Sequence, residues 1–100
     1  PTLDAQYMAL ARRYMKTNCA CFTPNTARFD DILRMVDEYK VDGVIDVSLK
    51  FCNLYDTEGF LLERTLKEKG IPVLGIETDY TDADAEQLKT RIGAFIEMLG

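Results

Sequence analysis

Cys52 is the residue whose type and position most clearly suggest chemistry. It follows Lys50 and Phe51 directly after residues 44–49, a short run rich in β-branched side chains. Such a run between two helix-like segments predicts a strand of a parallel sheet. Ligands of open α/β sheets bind beyond the carboxyl ends of the strands, so Cys52 is placed as a soft ligand or nucleophile. The alternative is a free cysteine packed as a small hydrophobic residue, the commoner fate in a reduced core.

A group of carboxylates is predicted to lie at the same sheet edge. Glu77, Asp79 and Asp82 follow the next apolar run, residues 71–76. They either form hydrogen bonds around a bound ligand or substrate, or belong to a solvated turn in which Asp82 caps the last helix. Capping is favoured for Asp82. Glu77 and Thr78 come directly after the strand and have the stronger claim to the site.

Cys19 and Cys21 form a C-x-C pair, which in metal sites usually has a second pair or a histidine as partner. The sequence has three cysteines and no histidine. In a strand, residues i and i+2 point to the same face, so packing of both thiols in one core layer is favoured. The absence of histidine also removes the usual base of serine and cysteine hydrolases.

Composition narrows the classes of function. The 100 residues carry a net charge of −5 and 47% apolar residues, which suits one domain with a modest core. The 12 basic residues are scattered, so neither nucleic acid nor a membrane is predicted as a partner. An odd number of cysteines favours a reducing, cytoplasmic location over a disulfide scaffold.

Periodicity predicts one α/β domain over residues 1–100, in the order α-β-α-β-α-β-α. Strands are expected at residues 19–22, 44–49 and 71–76, with helices before, between and after them, and the central strand is expected to be buried. The first helix is expected at residues 3–16, and the helix after the central strand is expected to begin with a cap at Asp56 or Thr57 and to end at Gly70. The last helix is expected to bury a stripe of side chains against the sheet: Leu88, Ile92, Phe95 and Ile96.

The resulting fold is a three-layer, flavodoxin- or Rossmann-like parallel sheet of about three strands with helices on both faces. Two bare sheet edges favour a piece of a longer, two-domain protein. Asp46 within the central strand is either hydrogen-bonded near a domain contact or water-facing at an edge.

Five landmarks, in this order and spacing, carry a resemblance to a known family. They are Asp42-Gly43-Val44, Lys50-Phe51-Cys52, Gly70-Ile71-Pro72-Val73-Leu74, Glu77-Thr78-Asp79-Tyr80 and Gln87-Leu88-Lys89-Thr90-Arg91-Ile92. The similarity reaches back to Cys21 and Pro24-Asn25. The chain resembles the C-terminal domain of the 2-hydroxyacyl-CoA dehydratase family, which includes the 2-hydroxyglutaryl-CoA dehydratase D-component and benzoyl-CoA reductase subunits. Arg91 is a candidate through this resemblance alone, since its position also suits a solvated helix face.

The resemblance implies a 4Fe-4S cluster bound by three cysteines per subunit. The cysteine of the Lys-Phe-Cys motif is the last of the three, which makes Cys52 the cluster ligand here. The other two ligands belong to an N-terminal domain that this chain lacks, so the chain alone is expected to bind no stable cluster and to be inactive. Lys50, Glu77 and Thr78 are then possible supporting residues around the cluster.

The resemblance also implies partners and a reaction. Expected partners are the N-terminal domain of the parent subunit, a related second subunit, an ATP-dependent activator and an acyl-CoA substrate. The implied reaction is radical elimination of water from a (R)-2-hydroxyacyl-CoA after one-electron activation. The alternatives are a benzoyl-CoA reductase-type or other cluster-dependent reductase subunit, or a non-catalytic flavodoxin-like binding module.

Overall fold

Two parallel strands form the centre of the computed structural model, which describes residues 1–21 and 24–100. Strand β1 (Val44–Leu49) pairs with strand β2 (Val73–Thr78) in a register that sets Val44 opposite Val73 and Leu49 opposite Thr78. The helices are α1 (Leu3–Tyr14), α2 (Thr26–Tyr39), α3 (Asn53–Glu68) and α4 (Ala85–Leu99). The α/β class and four helices are therefore confirmed. None of the described helices is long and apolar enough to cross a membrane.

Helix α3 lies between the strands in the chain and packs on both of them. Its Leu62 and Leu66 are completely buried. A Cβ atom added to Gly59 would come within 3.1 Å of the Asp46 carboxylate, so a glycine here lets the helix approach β1 closely. The helix ends at the predicted place, with Gly70 just beyond it at a φ of 75°.

Helix α4 packs on β2 through a narrower stripe than the sequence predicts. Phe95 is buried, but Ile96, expected in the same stripe, is 59% exposed. One residue turns a helix by about 100°, so Ile96 points away once Phe95 packs near Gly43. With two strands to cover, one line of side chains is sufficient.

The predicted first strand is wrong for residues 19–21. They form a coil and turn, in which the Cys19 amide donates to the Thr17 carbonyl at 2.9 Å, and Phe22 lies outside the described residues. The sheet of the described residues has two strands, so three strands and a Rossmann-like arrangement are not confirmed. As a consequence, one face of β1 carries exposed Ile45, Val47 and Leu49, against the expectation of a strand buried on both faces.

Helix α1 makes up the amphipathic segment expected at residues 3–16. Thr2 caps it by accepting a hydrogen bond from the Ala5 amide at 3.2 Å. None of its residues is buried, and its apolar stripe is exposed to solvent: Leu3, Tyr7, Leu10 and Tyr14. The helix therefore forms from its own periodicity and cap, without a packing partner among the described residues.

Candidate functional site

A tight turn places Cys52 at the carboxyl end of β1. The Cys52 amide donates to the Leu49 carbonyl at 3.1 Å, and the Lys50 amide donates to the Thr78 carbonyl of β2 at 2.8 Å. Cys52 is also the N-cap residue of α3, and its carbonyl accepts from the Asp56 amide at 3.0 Å. The strand passes into the helix within this turn, so the helix begins at Asn53. The predicted caps further along, Asp56 or Thr57, are wrong.

The Cys52 side chain is half-buried and faces a depression of about 350 Å³. The depression is lined by Val47, Ser48, Leu49, Arg28, Tyr55 and Cys52 itself. Three of these lining residues belong to the end of β1, and Tyr55 and Arg28 contribute an aromatic ring and a guanidinium group. The thiol is free and is thus available to a soft metal or to an electrophile.

Lys50 ties the turn after β1 to the loop after β2. Its Nζ forms ion pairs with Asp84 and, at 3.4 Å, with Asp79. The hydrogen bond to Asp84 raises the pKa of Lys50, and the bond to Asp79 adds to that rise. The pKa of the Asp79 carboxyl is lowered, first by the hydroxyl and amide of Thr81, which donate to it at 2.6 and 2.8 Å, and then by Lys50. Lys50 thus braces the Cys52 turn.

The other residues predicted beside Lys50 have different positions. The Thr78 carbonyl holds the turn, and its hydroxyl donates to the Asp79 carbonyl at 3.3 Å. Glu77 is exposed and lines a separate depression with Asp46 and Glu63 on the α3 side of the sheet. The structure therefore brings Thr78 to the Cys52 turn, whereas Glu77 faces elsewhere.

The predicted cap of α4 is wrong. The N-cap residue is Asp84, whose side chain makes no capping bond because it pairs with Lys50. Asp82 is exposed and contributes its backbone carbonyl, which accepts from the Ala85 amide at 3.2 Å. Arg91, named through the resemblance alone, donates to the Gly75 carbonyl of β2 at 2.8 Å. It therefore attaches α4 to the sheet.

A charge network behind the depression was missed by the sequence analysis. The Arg28 guanidinium pairs with Glu58 and, at 3.2 Å, with Asp46, and all three side chains are at most 16% exposed. It also stacks over the Tyr55 ring, with 4.8 Å to the centroid. Asp46 within β1 is thus hydrogen-bonded to a charged partner from α2 and does not face water. The signal available in the sequence was the charge of Asp46 within a predicted strand. It does not identify the partner, because Arg28 lies 18 residues away in the chain.

Asn25 and Tyr55 extend this network to the segment before α2. The Asn25 amide donates to both Glu58 carboxylate oxygens at 3.1 Å and to the Asn18 carbonyl at 3.3 Å. The Tyr55 hydroxyl donates to the same Asn18 carbonyl at 3.2 Å. Asn25 is the N-cap residue of α2 but makes no capping bond, since its side chain is committed to Glu58.

Cys19 and Cys21 interact with each other beside Tyr55. The backbone amide and thiol of Cys21 donate to the Cys19 sulfur, which lowers the pKa of Cys19, and the same thiol hydrogen bond raises the pKa of Cys21. Cys21 is exposed, so the prediction that both thiols line a core layer is wrong for it. Within residues 1–21 and 24–100, no three His, Cys, Asp or Glu side chains are grouped to hold a metal ion.

The amino-acid sequence of this chain matches one family of known proteins. Residues 1–99 match the family described as 2-hydroxyglutaryl-CoA dehydratase, D-component. YjiM of Escherichia coli (strain K12), named as a dehydratase subunit, is 46% identical over 94 residues, which are 93% of this chain and 24% of YjiM. The (R)-phenyllactyl-CoA dehydratase beta subunit of Clostridium sporogenes is 34% identical over 99% of this chain and 27% of that protein.

A more distant relative comes from a reductase. One of the benzoyl-CoA reductase subunits of Thauera aromatica is 28% identical over 79% of this chain and 20% of its own length. The chain thus spans about a quarter of the length of the curated relatives it matches. All three relatives are named as subunits.

Proposed function

The chain belongs to the 2-hydroxyglutaryl-CoA dehydratase D-component family, and from this premise we propose that it is part of a 2-hydroxyacyl-CoA dehydratase subunit. The reaction would be elimination of water from a (R)-2-hydroxyacyl-CoA after one-electron activation. The observation that carries the proposal is the position of Cys52. A free, half-buried thiol follows directly after β1, on a turn fixed by hydrogen bonds from both strands, where open α/β sheets bind their ligands.

The donor set suits one corner of a 4Fe-4S cluster. Cluster iron is held by thiolates, and Cys52 offers one at the rim of the depression. One thiolate does not hold a cubane, and the described residues group no three potential ligands for a metal. The remaining ligands would come from the rest of the parent subunit. When bound, the cluster would supply one-electron chemistry at the thioester.

The chain's own residues would hold the ligand rigidly. Lys50, paired with Asp79 and Asp84, fixes the turn from the β2 side. Arg28 from α2 and Tyr55 from α3 line the depression; Arg28 stacks over the Tyr55 ring and pairs with Glu58. A metal ligand supported on both sides keeps its position when the bound group changes charge, because its surroundings do not have to reorganise. We assign this support to Lys50, whose amide is bound by the Thr78 carbonyl, and to Arg28 and Tyr55.

The length of the relatives and their names as subunits support two of the proposed partners, whereas the activator rests on the family resemblance alone. The remainder of the parent subunit would supply the missing cluster ligands, and a related second subunit would complete the complex. An ATP-dependent activator would deliver the electron. The same site also suits the reductase alternative, which is favoured by the match to the benzoyl-CoA reductase subunit. In that case the same ligand would serve electron transfer to an aromatic acyl-CoA.

The test is a pair of cysteine variants in the full-length protein, purified without oxygen. Cys52→Ser is expected to lose bound iron and turnover while the protein stays folded, because a hydroxyl is a harder and far less acidic donor than a thiol. Cys21→Ser is the matched control, with an exposed thiol outside the depression, and should keep both. Iron and sulfide content, circular dichroism and turnover are measured on each.

The reverse result, with full iron in Cys52→Ser and loss in Cys21→Ser, would show that the ligand has been assigned to the wrong residue. Assays with a (R)-2-hydroxyacyl-CoA and with an aromatic acyl-CoA separate the two reactions. Water elimination supports the dehydratase, and ring reduction supports the alternative.

A further inference from the structure

Phe51 has a backbone conformation that its residue type does not favour. It is the third residue of the turn that the Cys52 amide closes onto the Leu49 carbonyl, and its φ is 68°. Type II turns require a positive φ at this position and normally have glycine or asparagine there. Lys40 also has a positive φ, but it caps the end of α2, where this conformation is common. Turn geometry therefore gives no reason for a phenylalanine at position 51.

Packing gives no reason either. The Phe51 side chain is 91% exposed, so its ring gains almost no burial among the described residues. Bulky residues in the left-handed region are strained, and strained residues of this kind cluster at active sites and ligand clamps. The ring immediately precedes Cys52, the thiol at the proposed site.

Tyr80 repeats the pattern on the neighbouring loop. It follows β2 and is 92% exposed. Because the strands are parallel, the loops after β1 and β2 lie at the same edge of the sheet. The ion pair between Lys50 and Asp79 joins these loops at 3.4 Å. Phe51 follows Lys50 and Tyr80 follows Asp79 in the chain, so two exposed aromatic residues are each adjacent in sequence to one member of this ion pair.

We propose that Phe51, with Tyr80 beside it, forms an apolar wall that contacts the acyl group of the CoA thioester next to Cys52. The inference rests on the proposed function. An acyl chain is the apolar part of such a substrate, and its carbonyl end must lie at the reacting site. Two aromatic rings with a charged pair between them offer enough apolar surface for a small acyl group. A partner protein would need more, because a stable protein interface buries a continuous patch of about 800 Å² on each partner.

The experiment measures binding and does not depend on turnover. The full-length, cluster-loaded protein is titrated calorimetrically with saturated acyl-CoAs that lack the 2-hydroxyl group and increase in apolar acyl size. The variant is Phe51→Asn, chosen because asparagine tolerates the left-handed backbone conformation at this position of the turn. Phe60→Asn, on the exposed side of α3 and 70% exposed, is the matched control. Tyr80→Asn tests the second ring.

The wild-type protein is expected to bind larger acyl groups more tightly. Phe51→Asn should remove that gain, by roughly tenfold or more for the largest acyl group, and leave the smallest unchanged. Tyr80→Asn should reduce the same gain in part, and Phe60→Asn should not alter it. The melting temperature of Phe51→Asn should be unchanged or a few degrees higher, because strain is relieved.

Two results would overturn the proposal. Equal affinity of Phe51→Asn and wild type for every acyl-CoA would show that the ring touches no acyl group. Uniform loss across the series, together with loss of iron or of subunit assembly, would show that Phe51 packs against protein instead. Size-dependent binding that needs Phe51 in a protein without dehydratase turnover would support the inference while contradicting the proposed reaction.

Discussion

Replacing Arg28 tests whether the network behind the site holds the domain together. The Arg28 side chain is 16% exposed, and its carboxylate partners Asp46 and Glu58 are each 11% exposed. Arg28→Leu leaves two nearly buried negative charges without their cation. Removing one partner from a buried ion pair costs about 3–5 kcal/mol, and we expect the lower part of this range because each group keeps some contact with water. Loss of the guanidinium from the Tyr55 ring adds about 0.5–1 kcal/mol.

The assay is urea unfolding of the 100-residue chain, followed by circular dichroism. For a domain of this size, 3 kcal/mol corresponds to a shift of the midpoint by roughly 2 M urea. Arg34→Leu is the matched control, since Arg34 lies on the same helix and pairs with Glu38 at 2.6 Å while its side chain is 60% exposed. Pairs at the surface contribute about 0–1 kcal/mol, so this variant should change the midpoint little.

A double variant shows where the cost of Arg28→Leu comes from. If abandoned charge is the cause, adding Glu58→Gln to Arg28→Leu should recover part of the lost stability, because an amide is neutral and still accepts the Asn25 hydrogen bond. Equal, small effects of Arg28→Leu and Arg34→Leu would refute the reasoning. So would a double variant that is less stable than Arg28→Leu alone.

Two further predictions concern the core and the pH dependence. Phe95→Ala should lower the free energy of unfolding by about 3 kcal/mol or more, because Phe95 is buried. The neighbouring Ile96→Ala should lower it by less than about 1 kcal/mol, because Ile96 is exposed. Equal losses of the two variants in urea titrations would mean that α4 packs on the sheet through a different face. Lys50→Met should remove a stabilisation that is present near neutral pH. Lys50 is, after Thr81, one of the groups that lower the pKa of Asp79, so this part of the contribution should fade as the pH drops from about 4 through the lowered pKa of Asp79. Because the pKa of Lys50 is raised, it should also fade as the pH rises through and beyond about 10.5. A difference in melting temperature between wild type and Lys50→Met that is independent of pH from about 3 to about 11 would contradict this assignment.

Local signals in the sequence were sufficient for the elements that form from their own residues. Apolar periodicity located all four helices, and the β-branched run located β1. The position of Cys52 at the end of β1 followed from the same run. The predicted strand at residues 19–21 was wrong because an apolar composition does not distinguish a strand from a turn that is stabilised by hydrogen bonds from other parts of the chain. Here the carbonyl of the preceding Asn18 accepts bonds from Asn25 and Tyr55.

Contacts between distant parts of the chain were beyond the reach of sequence patterns. The Arg28–Asp46 pair spans 18 residues and the Lys50–Asp84 pair spans 34, and each depends on where helices and loops settle on the sheet. The same limit explains the error at α4. The sequence predicted Asp82 as the cap, whereas the N-cap residue is Asp84, whose side chain pairs with Lys50 from the turn after β1.

Around the Cys52 turn, paired charges fix the backbone, and exposed apolar side chains are left for contact with a ligand. The two cations beside the turn are both paired: Lys50 with Asp79 and Asp84, and Arg28 with Asp46 and Glu58. Each cation is shared by two carboxylates, so the two groups fix the turn from both sides and leave a net negative charge. A negatively charged cluster and CoA would find both of these cations already paired with carboxylates, so their binding would depend on the thiolate and on apolar contact. Phe51 and Tyr80 at this edge, together with Val47 and Leu49 in the depression, are exposed apolar groups able to supply that contact.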